Sequence, residues 1–291
     1  MGIKTKKVVL LTGASTGLGL SIAKKLLKED FFLVLTSRGS SLGRFGENGI
    51  SASDKVWIRE LDVTNNDQRV DLILEINQRL GGVDILINNA GFTFRSVLEH
   101  VQEEERIQQM NTNFRGPMEL IRLVLPLMRG KRSGQIINIS SVGGMMAMPT
   151  MSIYSASKWA LEGATESLWY EVKPWNINVT LIQPGFINSD SFMHVRNTKK
   201  SSLSQRGKDT YQNHYLNMAS FVEKLMKLSP SNADDVANKT VKIIKMKRPP
   251  LRAAGTIDAH IFSLIRRILP RRLYHFILYY TLPGIRTWGK K

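Results

Sequence analysis

The sequence predicts a doubly wound α/β domain, a single parallel sheet with helices on both faces. Three observations predict it. Strand-like runs alternate with longer helical stretches along most of the chain. Runs such as VVLL (8–11) and ILIN (85–88) are apolar without alternation, as expected of parallel strands covered on both faces. The first strand also runs straight into a glycine-rich turn with helical pattern directly after it. The 291 residues suffice for one large domain. With 42% hydrophobic and 22% charged residues, disordered and fibrous classes are excluded.

In order, 8–11 reads as a buried strand and 17–28 as a helix. FFLVLT (31–36) and VWIRELDV (56–63) are the next strands, 68–80 a helix, and VDILIN (83–88) a strand. Helical spacing covers 103–128, followed by the strand QIINIS (135–140) and a helix over 154–172. The strand NVTLIQ (178–183) and a helix over 234–245 complete the pattern. No internal repeat or low-complexity linker interrupts it. A domain over 1–256 is therefore expected, with a basic amphipathic appendage at 257–291.

Composition narrows the chemistry. There is no cysteine, which excludes disulfides, thiolate metal sites and a cysteine nucleophile and fits a cytoplasmic protein. The five histidines show no ligand spacing, so no metal is expected. Lys plus Arg number 41 against 24 acids, a net charge of +17. Twelve of those cations lie within 242–291, where Asp258 is the one acid. Such a tail suggests an anionic surface as partner, or else a solvated segment. The apolar run 8–11 is too short for a signal-peptide core, and Lys6 stands where a myristoylation motif needs Ser or Thr. No stretch reaches the length of a spanning helix, so contact with a membrane would be peripheral.

The turn TGASTGLG (12–19) places glycines at 13, 17 and 19. Glycine permits a tight turn and close backbone approach to a pyrophosphate, and the following helix start offers free N–H groups and a positive dipole end. A tight packing turn is the plainer reading. A dinucleotide site for NAD usually carries an acid near the end of the second strand. Ser37 and Arg38 stand there instead, and a guanidinium suits a 2′-phosphate, which favours NADP(H).

In YSASK (154–158), Tyr154 and Lys158 are four apart on one helix face. Tyrosine ordinarily titrates near pH 10, and a neighbouring ammonium is expected to lower that value. The Ser140–Ser141 pair closes the preceding strand, where it can offer a hydroxyl to a substrate oxygen.

Taken together the motifs resemble the short-chain dehydrogenase/reductase family from residue 8 to about 247, a Rossmann-type fold. They are TGASTGLG (12–19), Asp62 in LDVT, NNAG (88–91), Asn113 in NTNFRG, Ser141 in NISSVGG, YSASK (154–158) and Pro184-Gly185. The resemblance implies an NADP(H)-dependent oxidoreductase moving a hydride between nicotinamide and a carbonyl or carbinol carbon. It implies that Ser141 orients the substrate oxygen, that Tyr154 is the general acid or base, that Lys158 lowers the tyrosine pKa and holds the ribose, and that Asn113 anchors a proton-relay water. It also implies cofactor contacts from Gly13, Ser15, Thr16, Gly17, Leu18, Gly19, Ser37, Arg38, Asp62, Val63, Asn89, Ala90, Gly91, Tyr154, Lys158, Pro184, Gly185 and Ile187. Ser189 stands where the family often has threonine.

Residues 186–230 correspond to the family's substrate lid. Met145, Met146, Met148 and Met151 fall between Ser141 and Tyr154, and Met145, Met148, Phe186 and Phe192 join Ser141 and Tyr154 as expected substrate contacts. A lipophilic alcohol or ketone (retinoid, steroid or long-chain lipid) is preferred over a sugar, as in retinol- and hydroxysteroid-dehydrogenase-like members. The tail mixes aliphatic and aromatic residues with Arg pairs at 266–267 and 271–272, and Pro270 should divide it into two short helices. It suits an anionic membrane surface, or it packs over the pocket or a partner subunit. A homodimer or tetramer is expected. A nucleotide-sensing binding protein with a nucleic-acid-clamping tail is disfavoured because Tyr154 and Lys158 are present; a soluble reductase of smaller ketones, its tail serving oligomerisation, is the other alternative.

Overall fold

The computed structural model describes residues 6–187, 195–207 and 209–289. Seven strands form one sheet: β1 Lys7–Leu11, β2 Phe31–Ser37, β3 Val56–Glu60, β4 Ile85–Asn88, β6 Gly134–Ile139, β7 Ile177–Gln183 and β9 Arg252–Ala254. Their order is β3-β2-β1-β4-β6-β7-β9 and every pairing is parallel. A separate parallel pair, β5 Phe94–Arg95 and β8 Arg196–Asn197, ties the loop after β4 to the segment after residue 195.

The unalternating apolar runs have the expected cause. Val9 and Leu11 of β1 enter the core on one face of the sheet, against Ile22 and Leu26 of α1 (Gly17–Leu26) and Val236 and Val241 of α9 (Ala233–Ile244). Val8 and Leu10 enter the opposite core with Leu72 and Ile76 of α3 (Asn66–Leu80), Leu120 and Val124 of α5 (Gly116–Lys131), and Leu168 and Val172 of α6 (Ser152–Val172). Strand order reverses between β1 and β4. That opens a crevice at their carboxyl ends, where ligands of such sheets bind.

Three elements depart from the sequence reading. The strand expected over 56–63 stops at Glu60, because Asp62 Oδ1 accepts from the Thr64 N–H and hydroxyl and turns the chain. The helix expected over 103–128 is α4 (Glu103–Met110) joined to α5 by a π-helical turn, Asn111–Arg115. Strand β9 was not foreseen; it is three residues long at the sheet edge and begins on an exposed arginine.

After β5 and β8 the chain forms α7 (Lys199–Arg206) and α8 (Gln212–Leu228). Two helices, α10 (Ile257–Ile268) and α11 (Arg271–Thr281), flank Pro270 in the tail. The tail is continuous with the sheet: β9 leads through Gly255 into Thr256, whose side chain caps α10 by accepting from the Ala259 N–H. Among the described residues no helix is long and apolar enough to cross a membrane.

Candidate active site

The crevice is built from the carboxyl ends of β1 and β4. Thr12 Oγ1 accepts from the backbone N–H groups of Asn89 and Ala90, both at 3.0 Å. Asn89 Nδ2 donates to the carbonyls of Thr12 and Gly13, also at 3.0 Å. Gly13 sits at φ +64°, and a Cβ there would stand 2.9 Å from Ala90 Cα, so both conformation and space exclude larger residues. Thr16 begins α1 without a side-chain cap, and no acid occupies the first turn. The N–H groups of that turn and the positive helix end are thus left for an anion. This cradle fits a pyrophosphate. Around it, Ser15 is buried, Leu18 packs on the core, and Gly17 and Gly19 shape the turn.

At the end of β2, Ser37 is buried and Arg38 exposed. Arg38 has no ion pair among the described residues, although the Glu60 carboxylate reaches Gly39 beside it. Asp62 is half-buried and Val63 buried in the turn after β3.

The side chains expected to be catalytic converge from three elements. Ser141, after β6, has its Oγ accepting from the Gly143 N–H at 3.0 Å. Tyr154 and Lys158 lie on α6, with Lys158 Nζ 5.9 Å from the tyrosine ring centroid and donating to the Ile139 carbonyl at 2.9 Å. Asn113 lies in the π turn. Its Oδ1 accepts from the Phe92 N–H, and its Nδ2 donates to the Phe92 carbonyl and to Ser157 Oγ, at 2.9–3.0 Å. The extra residue of a π turn redirects one side chain without ending the helix, and such turns recur at functional sites. Gly91 lies between the Asn113 amide and Lys158 Nζ.

Burial governs the protonation states. It pushes the Tyr154 phenol above its ordinary value, and the hydrogen bond with Ser141 opposes this. The lowering expected from the Lys158 ammonium does not prevail at this separation. Burial brings Lys158 down to about 8, with the charge of Glu162 opposing. The arrangement favours the neutral phenol of Tyr154 beside a lysine brought down to about 8.

An apolar cleft adjoins Ser141 and Tyr154, lined by Met146, Met148, Met151, Phe186 and Val222 among others. Met148 and Phe186, expected as substrate contacts, are among the residues lining it. Met145 turns away and packs with Ala254, Ala259 and Tyr274 beneath the tail. Ile187 enters the core beside α9. Ser189 and Phe192 lie outside the described residues.

The Pro184–Gly185 turn is held from a direction the motifs did not reveal. Gly185 N–H donates to Thr256 Oγ1 and Phe186 N–H to Asp258 Oδ2, both at 2.8 Å. A Cβ at Gly185 would meet the Asp258 carboxylate, so a larger residue there must displace it. Val222, from α8, also lines the cleft; neither it nor Asp258 carries a local pattern that points to a site.

A family model described as short chain dehydrogenase matches residues 7–200. The chain belongs to the short-chain dehydrogenase family. This short-chain dehydrogenase is 37% identical over 273 residues to the 3-ketodihydrosphingosine reductase of Bacteroides thetaiotaomicron, covering 94% of this chain and 96% of that one. It is 37% identical over 185 residues to the ketoacyl reductase HetN of a Nostoc species, covering 63% and 64%. A short-chain dehydrogenase structure from Streptomyces avermitilis superposes with a TM-score of 0.77 at 27% identity, covering 95% and 99%. A metagenomic short-chain oxidoreductase in complex with NADP superposes at 0.56 with 28% identity, covering 62% and 84%. The protein is thus an oxidoreductase acting on CH–OH or C=O groups.

Proposed function

We propose that this enzyme is an NADP(H)-dependent reductase of a long-chain lipid ketone, with 3-ketodihydrosphingosine as the first candidate. The observation that carries the reading is the sulfur-rich apolar cleft opening onto Ser141 and Tyr154. The near full-length similarity to a reductase named for a long-chain keto base supports it. Arg38 supports NADP(H), since it is an exposed guanidinium at the end of β2 with no ion pair among the described residues.

The glycine cradle of 12–19 would hold the pyrophosphate, Arg38 a 2′-phosphate, and Lys158 with Asn89 and Gly91 the ribose side. When bound, the dinucleotide supplies the hydride that the carbonyl carbon gains. Ser141 orients the carbonyl oxygen, and Tyr154 delivers the proton that completes the alcohol. Lys158 stabilises the charge left on the phenol oxygen, and Asn113 fixes the loop beside it through both Phe92 backbone bonds. Met146, Met148, Met151, Phe186 and Val222 exclude water from the reacting carbon and accommodate an alkyl chain.

The test is a fluorescence titration with NADPH and NADH on wild type and Arg38→Ala, followed by turnover of 3-ketodihydrosphingosine. Tighter NADPH binding that weakens in the variant, with NADH binding unchanged, is the expected result. Equal affinities would overturn the cofactor preference. Turnover of short polar ketones in preference to the long-chain ketone would overturn the substrate class.

A further inference from the structure

The tail has two apolar faces. The inner one covers the substrate side: Ala259 and Tyr274 are buried with Met145 and Met146, and Phe262, Leu269 and Leu278 pack on that cluster. Phe262 also joins Met148, Phe186 and Val222, which line the cleft. Among the described residues nothing packs over the outer face. On α10, Ile257, Ile261, Leu264, Ile265 and Ile268 recur at i, i+4, i+7, i+8 and i+11, a single exposed stripe opposite Ala259 and Phe262. On α11, Leu273, Phe276, Ile277 and Tyr280 repeat at i, i+3, i+4 and i+7. Ile268 is 68% exposed, Phe276 60% and Leu264 58%. Exposed aliphatic and aromatic side chains concentrated on two consecutive helices mark an interaction surface.

The charges select its occupant. Arg267, Arg271 and Arg272 are exposed and have no ion-pair or hydrogen-bond partner among the described residues. Arg266 stacks on Trp159, 4.5 Å from its ring centroid. Asp258 is the one acid of the tail, and it is engaged with Phe186 N–H. Docking a second copy face to face would bring arginine clusters together with no carboxylate between them. An anionic lipid surface meets both requirements: acyl chains for the stripes and phosphates for the arginines.

We infer that the outer faces of α10 and α11 dock on an anionic bilayer, which sets lipid beside the helices that roof the substrate cleft. The inference goes beyond the proposed reaction and does not depend on it, since binding is read without cofactor or substrate.

The full chain is tested by co-sedimentation with phosphatidylcholine vesicles, with and without phosphatidylglycerol, at low and high salt. Two variants accompany it: Ile261→Glu/Ile277→Glu and Arg267→Glu/Arg271→Glu/Arg272→Glu. All the changed side chains are exposed, so thermal melts should stay near wild type. Wild type is expected to pellet with the anionic vesicles, and less at high salt. Each variant should bind about tenfold more weakly or worse, with particle mass by light scattering unchanged. The inference is overturned if wild type does not bind, if both variants bind as wild type does, or if neutral vesicles serve equally well. A drop in particle mass for Ile261→Glu/Ile277→Glu would overturn it by assigning the face to a second copy.

Discussion

The glycine turn after β1 and the tail after β9 leave the same carboxyl edge of one parallel sheet, and they build their sites in opposite ways. The turn works through backbone. Its conformation and its uncapped helix start come from residues close together in sequence, while the clamp that holds it comes from the Asn89 side chain, 76 to 77 residues away. The tail works through side chains reaching distant partners. Asp258 holds an N–H 72 residues away, and Phe262 packs on methionines more than a hundred residues earlier. The shape of the turn is thus encoded locally and its clamp is not, whereas every contact of the tail arises from its docking.

The largest effect that sharpens this contrast should come from α6, the helix that carries Tyr154 and Lys158. Tyr154→Phe is expected to lower kcat by about 100- to 10,000-fold, with dinucleotide binding retained. Turnover surviving at a tenth of wild type would remove Tyr154 as proton donor.

Next is the pH response. Lys158 titrates at about 8 in the fold, below its ordinary 10.5. Its ammonium is present below that pH and lost above it, so ketone reduction should fall about tenfold per unit as pH rises beyond about 8. Stability runs the other way: burying the ammonium is a cost present below about 8, relieved as pH rises toward 10.5. In Lys158→Arg the rate limb near 8 should vanish from the profile; its persistence would assign it elsewhere.

Asp258→Ala tests whether the tail is part of the active site. It strips the acceptor from the Phe186 N–H and should cost about 1–3 kcal/mol in denaturant unfolding. A lower kcat should accompany it, and Asp258→Asn, which keeps an acceptor, should partly restore both. Wild-type kinetics in the alanine variant would reduce the tail to a cover. The smallest effects separate the tail's two faces. Phe262→Ala, on the inner face, should cost about 2 kcal/mol, less than a fully buried phenylalanine. Leu264→Ala, on the outer face, should stay within about 0.5 kcal/mol. Equal costs would mean that the outer face is covered as well.

The sequence by itself determined the sheet's six longer strands, the crossover helices and the motifs around the crevice. Those features depend on residue period, on glycine where φ is positive, and on side chains four apart on one helix; all three act over a few residues. The π turn at Asn111–Arg115 escaped because helical spacing continues through it, and the reason for the turn is a clamp on Phe92, twenty-one residues back. Strand β9 escaped because three residues carry too little pattern, and it forms by pairing with β7. Met145 and Met148 are alike in sequence, and only the packed loop turns one under the tail and the other into the cleft. The tertiary structure alone decided the rising pKa of Tyr154, because desolvation depends on everything that surrounds the hydroxyl. It also decided the two-sided character of the tail: amphipathic spacing tells that a helix has an apolar side, but which sides are covered depends on where the helix docks.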